Sequence, residues 1–263
     1  PDTIMLGAVD FVSTLPIVVT GTDDLTVIGR GRDKSSISTS ASTNSYVITT
    51  NGRSGLVTMK DLAIIAPASF PDSGGYGAVI QSQKDVFENV DLISENPGSS
   101  GASSTIGGGT FTNVRAFGRN GGTMDRAIET GCSDSGPLVI EGGEFTTAGL
   151  AISATCPAVP VTVSRARIHG DGTPISASSG ASVTVTNSVL ESGDYSPISV
   201  YNAKGDPTTV DLDQVTLVAV GDNTRPAINA QIGNVVAATG NIAISVRNSI
   251  IAGFQNNWDL DAP

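Results

Sequence analysis

The sequence predicts an all-β fold, a single-stranded right-handed parallel β-helix (solenoid) of about nine coils. Three observations carry this: a short unit that recurs along most of the chain, two apolar columns inside the unit, and a bend-forming residue held between them. The unit is clearest in Val183-Thr-Val-Thr-Asn-Ser-Val-Leu190.

With Val185 as the reference position, Met59, Phe87, Phe111, Ile140, Val163, Leu212 and Val246 are its equivalents, and all are apolar. Five residues later stand Ile64, Leu92, Ala116, Phe145, Ile168, Leu190, Leu217 and Ile251, a second apolar column. Two residues after the reference come Asp61, Asn89, Asn113, Gly142, Arg165, Asn187, Gln214 and Asn248. Asn, Asp and Gly tolerate the left-handed backbone region, so most of these positions read as a one-residue bend between two strands.

Successive reference residues lie 22 to 34 positions apart, from Val163 to Val185 and from Leu212 to Val246. That spacing indicates a solenoid, because one unit cannot bury its apolar side without a neighbour above and below. A propeller blade needs about 40 residues, and neither the leucine ladder nor the helical half of a leucine-rich repeat is present. A third apolar column follows from Val47-Ile-Thr, Val79-Ile-Gln, Ala127-Ile-Glu, Ala151-Ile-Ser, Pro174-Ile-Ser, Pro197-Ile-Ser and Ala227-Ile-Asn. One coil lacks a match; Ile106 is the expected substitute, with an irregular loop over residues 96–109.

The 263 residues then form one elongated domain, residues 1–263, with no linker. Charged residues make up 15%, below the roughly 25% of an average soluble protein, which suits a surface of hydroxyl-rich strands and tight turns. Net charge is −11 and the basic residues are scattered, which disfavours a nucleic-acid partner or an anionic membrane. The longest apolar runs fall far short of the roughly 20 residues that span a bilayer, so membrane insertion is not expected. The first residues, Pro1-Asp-Thr-Ile, read as those of a processed protein or an excised fragment.

Cys132 lies four residues after Ile128 and Cys156 four after Ile152. Equivalent positions on adjacent coils sit about 4.8 Å apart, inside the Cα separation a disulfide accepts. A Cys132–Cys156 disulfide and an oxidising, extracytoplasmic location are therefore expected. Two thiols and one distant histidine do not make a metal site, and no cofactor is expected.

Asp2-Thr-Ile, Leu15-Pro-Ile-Val-Val and Leu25-Thr-Val-Ile-Gly-Arg-Gly-Arg-Asp-Lys-Ser-Ser-Ile resemble the opening coils of pectin-lyase-like β-helix proteins. The chain is more specifically similar to bacterial secreted or surface proteins with parallel β-helix repeats, in which Arg247-Asn-Ser-Ile-Ile-Ala-Gly253 is also a typical phrase. The resemblance implies export and attachment to a cell surface or matrix, often without an assigned reaction. The cysteine-containing lead-in and terminal anchor usual in that family are not found here, nor is a helix that would cover an open coil. Self-association through open coils is the partner expectation, since exposed strand edges template further pairing.

Candidate chemistry is sparse. Asp211 and Asp213 flank the inward Leu212 and share an outer face, with Arg247 expected beside Asp213 as a structural ion pair. Asp91, Arg115, Glu144 and Arg167 alternate in sign up one column, and Lys60 neighbours Glu88. His169, the single histidine, is read as a turn residue beside Gly170-Asp-Gly rather than a base. Gly74-Gly75 and the glycines at 107–109 lack the strand-to-helix context of a phosphate loop. Outer-face hydroxyls such as Thr110, Thr112, Thr162, Thr184 and Thr186 form an array too interrupted by charge for ice binding. Tyr46, Tyr76, Tyr195, Tyr201 and Trp258 leave carbohydrate open as a ligand.

No catalytic, cofactor-binding or metal residue is assigned. The sequence reads as a non-enzymatic extracellular structural or adhesive β-helix protein of a bacterial surface or matrix, able to assemble end to end into filaments. The alternative is a polysaccharide lyase or glycoside hydrolase with a diverged active site, which would show a groove with uncompensated charges.

Overall fold

The computed structural model describes residues 2–40, 46–50, 54–68, 78–82, 84–96, 103–106, 108–132, 136–202, 206–221, 224–232 and 241–261. Its architecture follows from the bend. All eight residues of the expected bend column have positive φ, from 47° at Asn187 to 71° at Gly142, and Arg165 (55°) and Gln214 (58°) join them despite their unfavourable side chains. Residue type at those two positions does not favour the conformation; the stacked neighbours impose it. The bend amides also continue the ladder between coils: Gly142 N donates to Ser164 O at 2.7 Å, and Asn187 N to Asp213 O at 3.1 Å. Side chains add to this, since Asn89 Nδ2 donates to Asp61 Oδ1 at 3.1 Å and Asn113 Nδ2 to Asn89 Oδ1 at 2.6 Å.

Every strand pairing among the described residues is parallel, so the chain is a parallel β-helix. An 18-stranded sheet is folded along the bend column into a first and a second face, and a 10-stranded sheet forms the third. That third stack is close to the nine coils expected. Among the described residues every regular element is a β-strand, and no helix is long and apolar enough to cross a membrane.

The reference column is in register throughout: Met59 pairs with Phe87, Phe87 with Phe111, Phe111 with Ile140, and so on to Leu212 with Val246. The second column is too, through Leu92 with Ala116 and Ile168 with Leu190. These residues fill a continuous core, in which the Phe87 and Phe111 rings stack at 4.8 Å between centroids. Burying each such side chain contributes about 1.5–3 kcal/mol.

The third column holds from Ile48 to Ile80 and from Ile128 through Ile152, Ile175 and Ile198 to Ile228. Ile106 does not take the vacant place. The strand Ser103–Ile106 lies within the expected loop, and its register sets Ile106 opposite Thr130, two positions on. The residues at 97–102 and 107 lie outside the described set, as do Gly74, Gly75 and Tyr76.

The register behind the expected Cys132–Cys156 disulfide is present. Ile128 and Ile152 are paired as the spacing required, yet Cys132 and Cys156 stand as thiols. After the shared register the two side chains part: Cys156 is buried, while Cys132 is exposed with its sulfur 3.6 Å from Thr155 O.

Candidate functional site

Outer faces are set by alternation along each strand. On the second face, the outward positions in register are Val12, Ser38, Ile65, Ile93 and Phe117. Here the coil length matters. In the coil of Leu25–Ile28 and Ser36–Thr39, residues 29–35 replace the one-residue bend. They turn at Gly31, whose carbonyl accepts from Lys34 N and Ser35 N. Ser35 Oγ donates to Gly7 O at 2.6 Å and accepts from Arg30 N at 2.8 Å, which fixes the excursion.

Arg32 leaves this excursion and reaches Asp91 Oδ1, two coils on, at 3.3 Å and Asn113 O, three coils on, at 3.2 Å. Asp91, with its side chain only 4% exposed, also takes a two-point contact from Arg115, including Nε to Oδ1 at 2.8 Å. That hydrogen bond raises the pKa of the Arg115 guanidinium above its ordinary value. Directly after the strand Asp85–Ser94, Glu95 binds Arg119 at 2.7 Å and Asn120 at 2.8 Å. Ile93, between the two ion pairs, is 2% exposed although it faces outward. The arginines form walls and the sheet forms a floor.

This arrangement leaves an open recess of about 430 Å³ lined by Asp10, Arg32, Lys34, Ser36, Glu95 and Arg119, among others. A second recess, of about 290 Å³, lies on the same face against Arg115, Phe117, Glu144 and Thr146. The Arg115 guanidinium sits 5.7 Å from the centre of the Phe117 ring, within cation–π range. The column of Asp91, Arg115 and Glu144 was legible in the sequence, but the reach of Arg32 and the recesses were not. Arg32 and Lys34 come from the excursion at 29–35, whose length departs from the one-residue bend of later coils and so leaves no periodic signal.

Asp213 and Arg247 are opposite in register, but Arg247 binds Asp211 at 3.1 Å, and Asp213 Oδ1 accepts from Asn248 Nδ2 at 2.9 Å. The structural ion pair is present with a diagonal partner. Asp91 and Arg115 pair as expected, and Lys60 binds Glu88 at 2.5 Å. Arg167 instead turns to Glu191 at 3.0 Å, away from Glu144. His169 lies on the strand Arg167–Gly170 rather than in the turn, with Nδ1 3.5 Å from Glu191 and Nε2 3.9 Å from Asp171.

A further acidic pair emerges at the start of the third face. Arg126 binds Glu129 at 2.8 Å and approaches Asp125 at 3.8 Å. Burial chiefly raises the Asp125 pKa, Arg126 lowers it and Glu129 raises it, with a net upward shift. Protonated Asp125 therefore favours the fold at acid pH, and that contribution is lost as pH rises through the raised value. Among the described residues, no group of three or more His, Cys, Asp or Glu side chains could hold a metal ion.

No family model matches the chain, and no curated protein matches it. Among solved structures, the A-module of the Azotobacter vinelandii mannuronan C-5 epimerase AlgE4 aligns with 99% of this chain and 91% of its own. The TM-score is 0.48 and the identity 11%, and no residue role is carried over from it.

Proposed function

We propose that this protein is an extracellular β-helix of adhesive or structural type that holds a polysaccharide against its second face. The two recesses carry this reading: they lie on one face and are lined by hydroxyls and by charges ion-paired across coils. Paired charges favour binding over turnover. Arg32, Arg115 and Arg119 are each already matched by Asp91 or Glu95, whereas catalytic acids and bases need shifted, available groups. The test is affinity electrophoresis of the full chain through gels containing different polysaccharides, with product analysis of the same mixtures. Retardation without new chain ends is expected. Free migration in every gel overturns the reading.

A second reading, a polysaccharide-modifying enzyme, is favoured by the Asp125–Arg126–Glu129 cluster. One carboxyl there is pushed toward its protonated form while the other is held by an arginine. Two carboxylates in unlike environments are what acid–base cleavage of a glycosidic bond requires. Product formation that is lost in both Asp125→Asn and Glu129→Gln would establish it.

Self-association belongs to the proposal as well. The apolar columns are exposed in the first described coil, at Ile4 and Phe11, and Ile250 and Trp258 are exposed near the last. Light scattering across a concentration series is expected to show growth, and a constant monomer mass would remove this part.

A further inference from the structure

Resting on the polysaccharide reading, we infer that the ligand is a neutral linear glycan lying along the helix axis across both recesses, with Phe117 as the ring that stacks on one of its sugars. The axial direction comes from register. Ser38, Ile65, Ile93 and Phe117 are successive partners in one outward row, and the two recesses lie at either end of it. Three steps of about 4.8 Å separate Ser38 from Phe117, so a ligand touching both ends spans roughly 14 Å and is a chain rather than a single sugar.

Neutrality comes from charge balance. The larger recess is lined by three cations, Arg32, Lys34 and Arg119, and three carboxylates, Asp10, Asp33 and Glu95. Arg119 binds Glu95, Arg32 binds Asp91, and Lys34 adjoins Asp33 in sequence. A polyanion would meet a balanced lining on a chain of net charge −11 and would be repelled on approach. A hydroxylated polymer instead finds donors and acceptors at fixed positions, including the Ser36 hydroxyl that donates to Asp10 Oδ1 at 2.6 Å.

Phe117 supplies the apolar half of the recognition. It is partly exposed, lines the smaller recess with Thr146 and Glu144, and is held from one side by Arg115. A sugar ring offers a C–H face for an aromatic surface and a hydroxyl edge for the polar wall. Among the described residues, no other aromatic side chain lines either recess.

The experiment uses the full chain in gels containing uncharged glucan, mannan or xylan, or polygalacturonate, with Phe117→Ala, Phe117→Trp and the first-face control Thr184→Ala. Melting curves confirm that each variant is folded. The inference expects retardation by at least one neutral polymer that persists in high salt, about tenfold weaker binding in Phe117→Ala, and binding retained in Phe117→Trp and Thr184→Ala. Equal binding by folded Phe117→Ala overturns it. Retardation by polygalacturonate alone overturns the neutral ligand while leaving the polysaccharide reading intact, and no retardation by any polymer overturns both.

Discussion

Phe11 and Phe145 occupy the same column, linked rung by rung through Ile37, Ile64, Leu92 and Ala116. Phe145 is 0% exposed and Phe11 is 50% exposed. The residue type is identical and so is the inward-facing register, so the difference lies only in the neighbours. A coil in the middle is covered from both sides. The first described coil is covered from one, and a solenoid position gains its burial from the stack rather than from its own sequence.

The largest effect should break this comparison open. Phe145→Ala is expected to cost about 3–5 kcal/mol through lost burial and a cavity, and Phe11→Ala about 0.5 kcal/mol. Urea unfolding of both variants measures it. A matching loss at Phe11 would mean that the first coil is covered in solution, which would sharpen the self-association proposal.

The same contrast applies to charge. Asp91 and Asp211 each meet an arginine from a later coil, but the Asp91 side chain is 4% exposed and that of Asp211 is 40% exposed. Asp91→Ala removes the buried partner of Arg32 and Arg115, whose own side chains stay partly solvated, and should cost about 1.5–3 kcal/mol. Asp211→Ala should cost about 0–1 kcal/mol, and high salt should erase most of it. Equal costs would show that the groove walls contribute no more than a surface pair.

Bends offer a smaller test. Asn187→Val places a β-branched residue at φ 47° and should cost about 1–3 kcal/mol, whereas Asn187→Gly should be nearly neutral. Similar stability of the two variants in thermal melts would mean that side-chain type is immaterial at this bend.

The cysteines carry the least energy and the clearest readout. Cys132, exposed, should react with a thiol reagent in the native protein, and buried Cys156 only after unfolding. If neither reacts after unfolding without reductant, the disulfide expected from their register forms in the oxidised protein.

How much was legible follows from what repeats. The apolar columns could be aligned because each coil must bury residues at fixed offsets, and the structure keeps those offsets from Met59 to Val246. Asn89, Asn113 and Asn187 announced their bends through backbone preference. Arg165 and Gln214 did not, because there the stacked coils override the residue.

The sequence by itself determined the parallel β-helix, its core columns, its bend line and the rows in which charges meet, since each depends on backbone spacing that alternation and stacking enforce. Tertiary structure alone decided which neighbours in a row are partners. Arg247 takes Asp211 rather than Asp213, because a long guanidinium arm reaches diagonally as easily as across. It also decided that Cys132 and Cys156 face different surroundings, and that residues 29–35 send Arg32 to Asp91, 59 positions away. Those choices rest on side-chain direction and on the excursion at 29–35, and the recesses they create appear only when the coils are stacked.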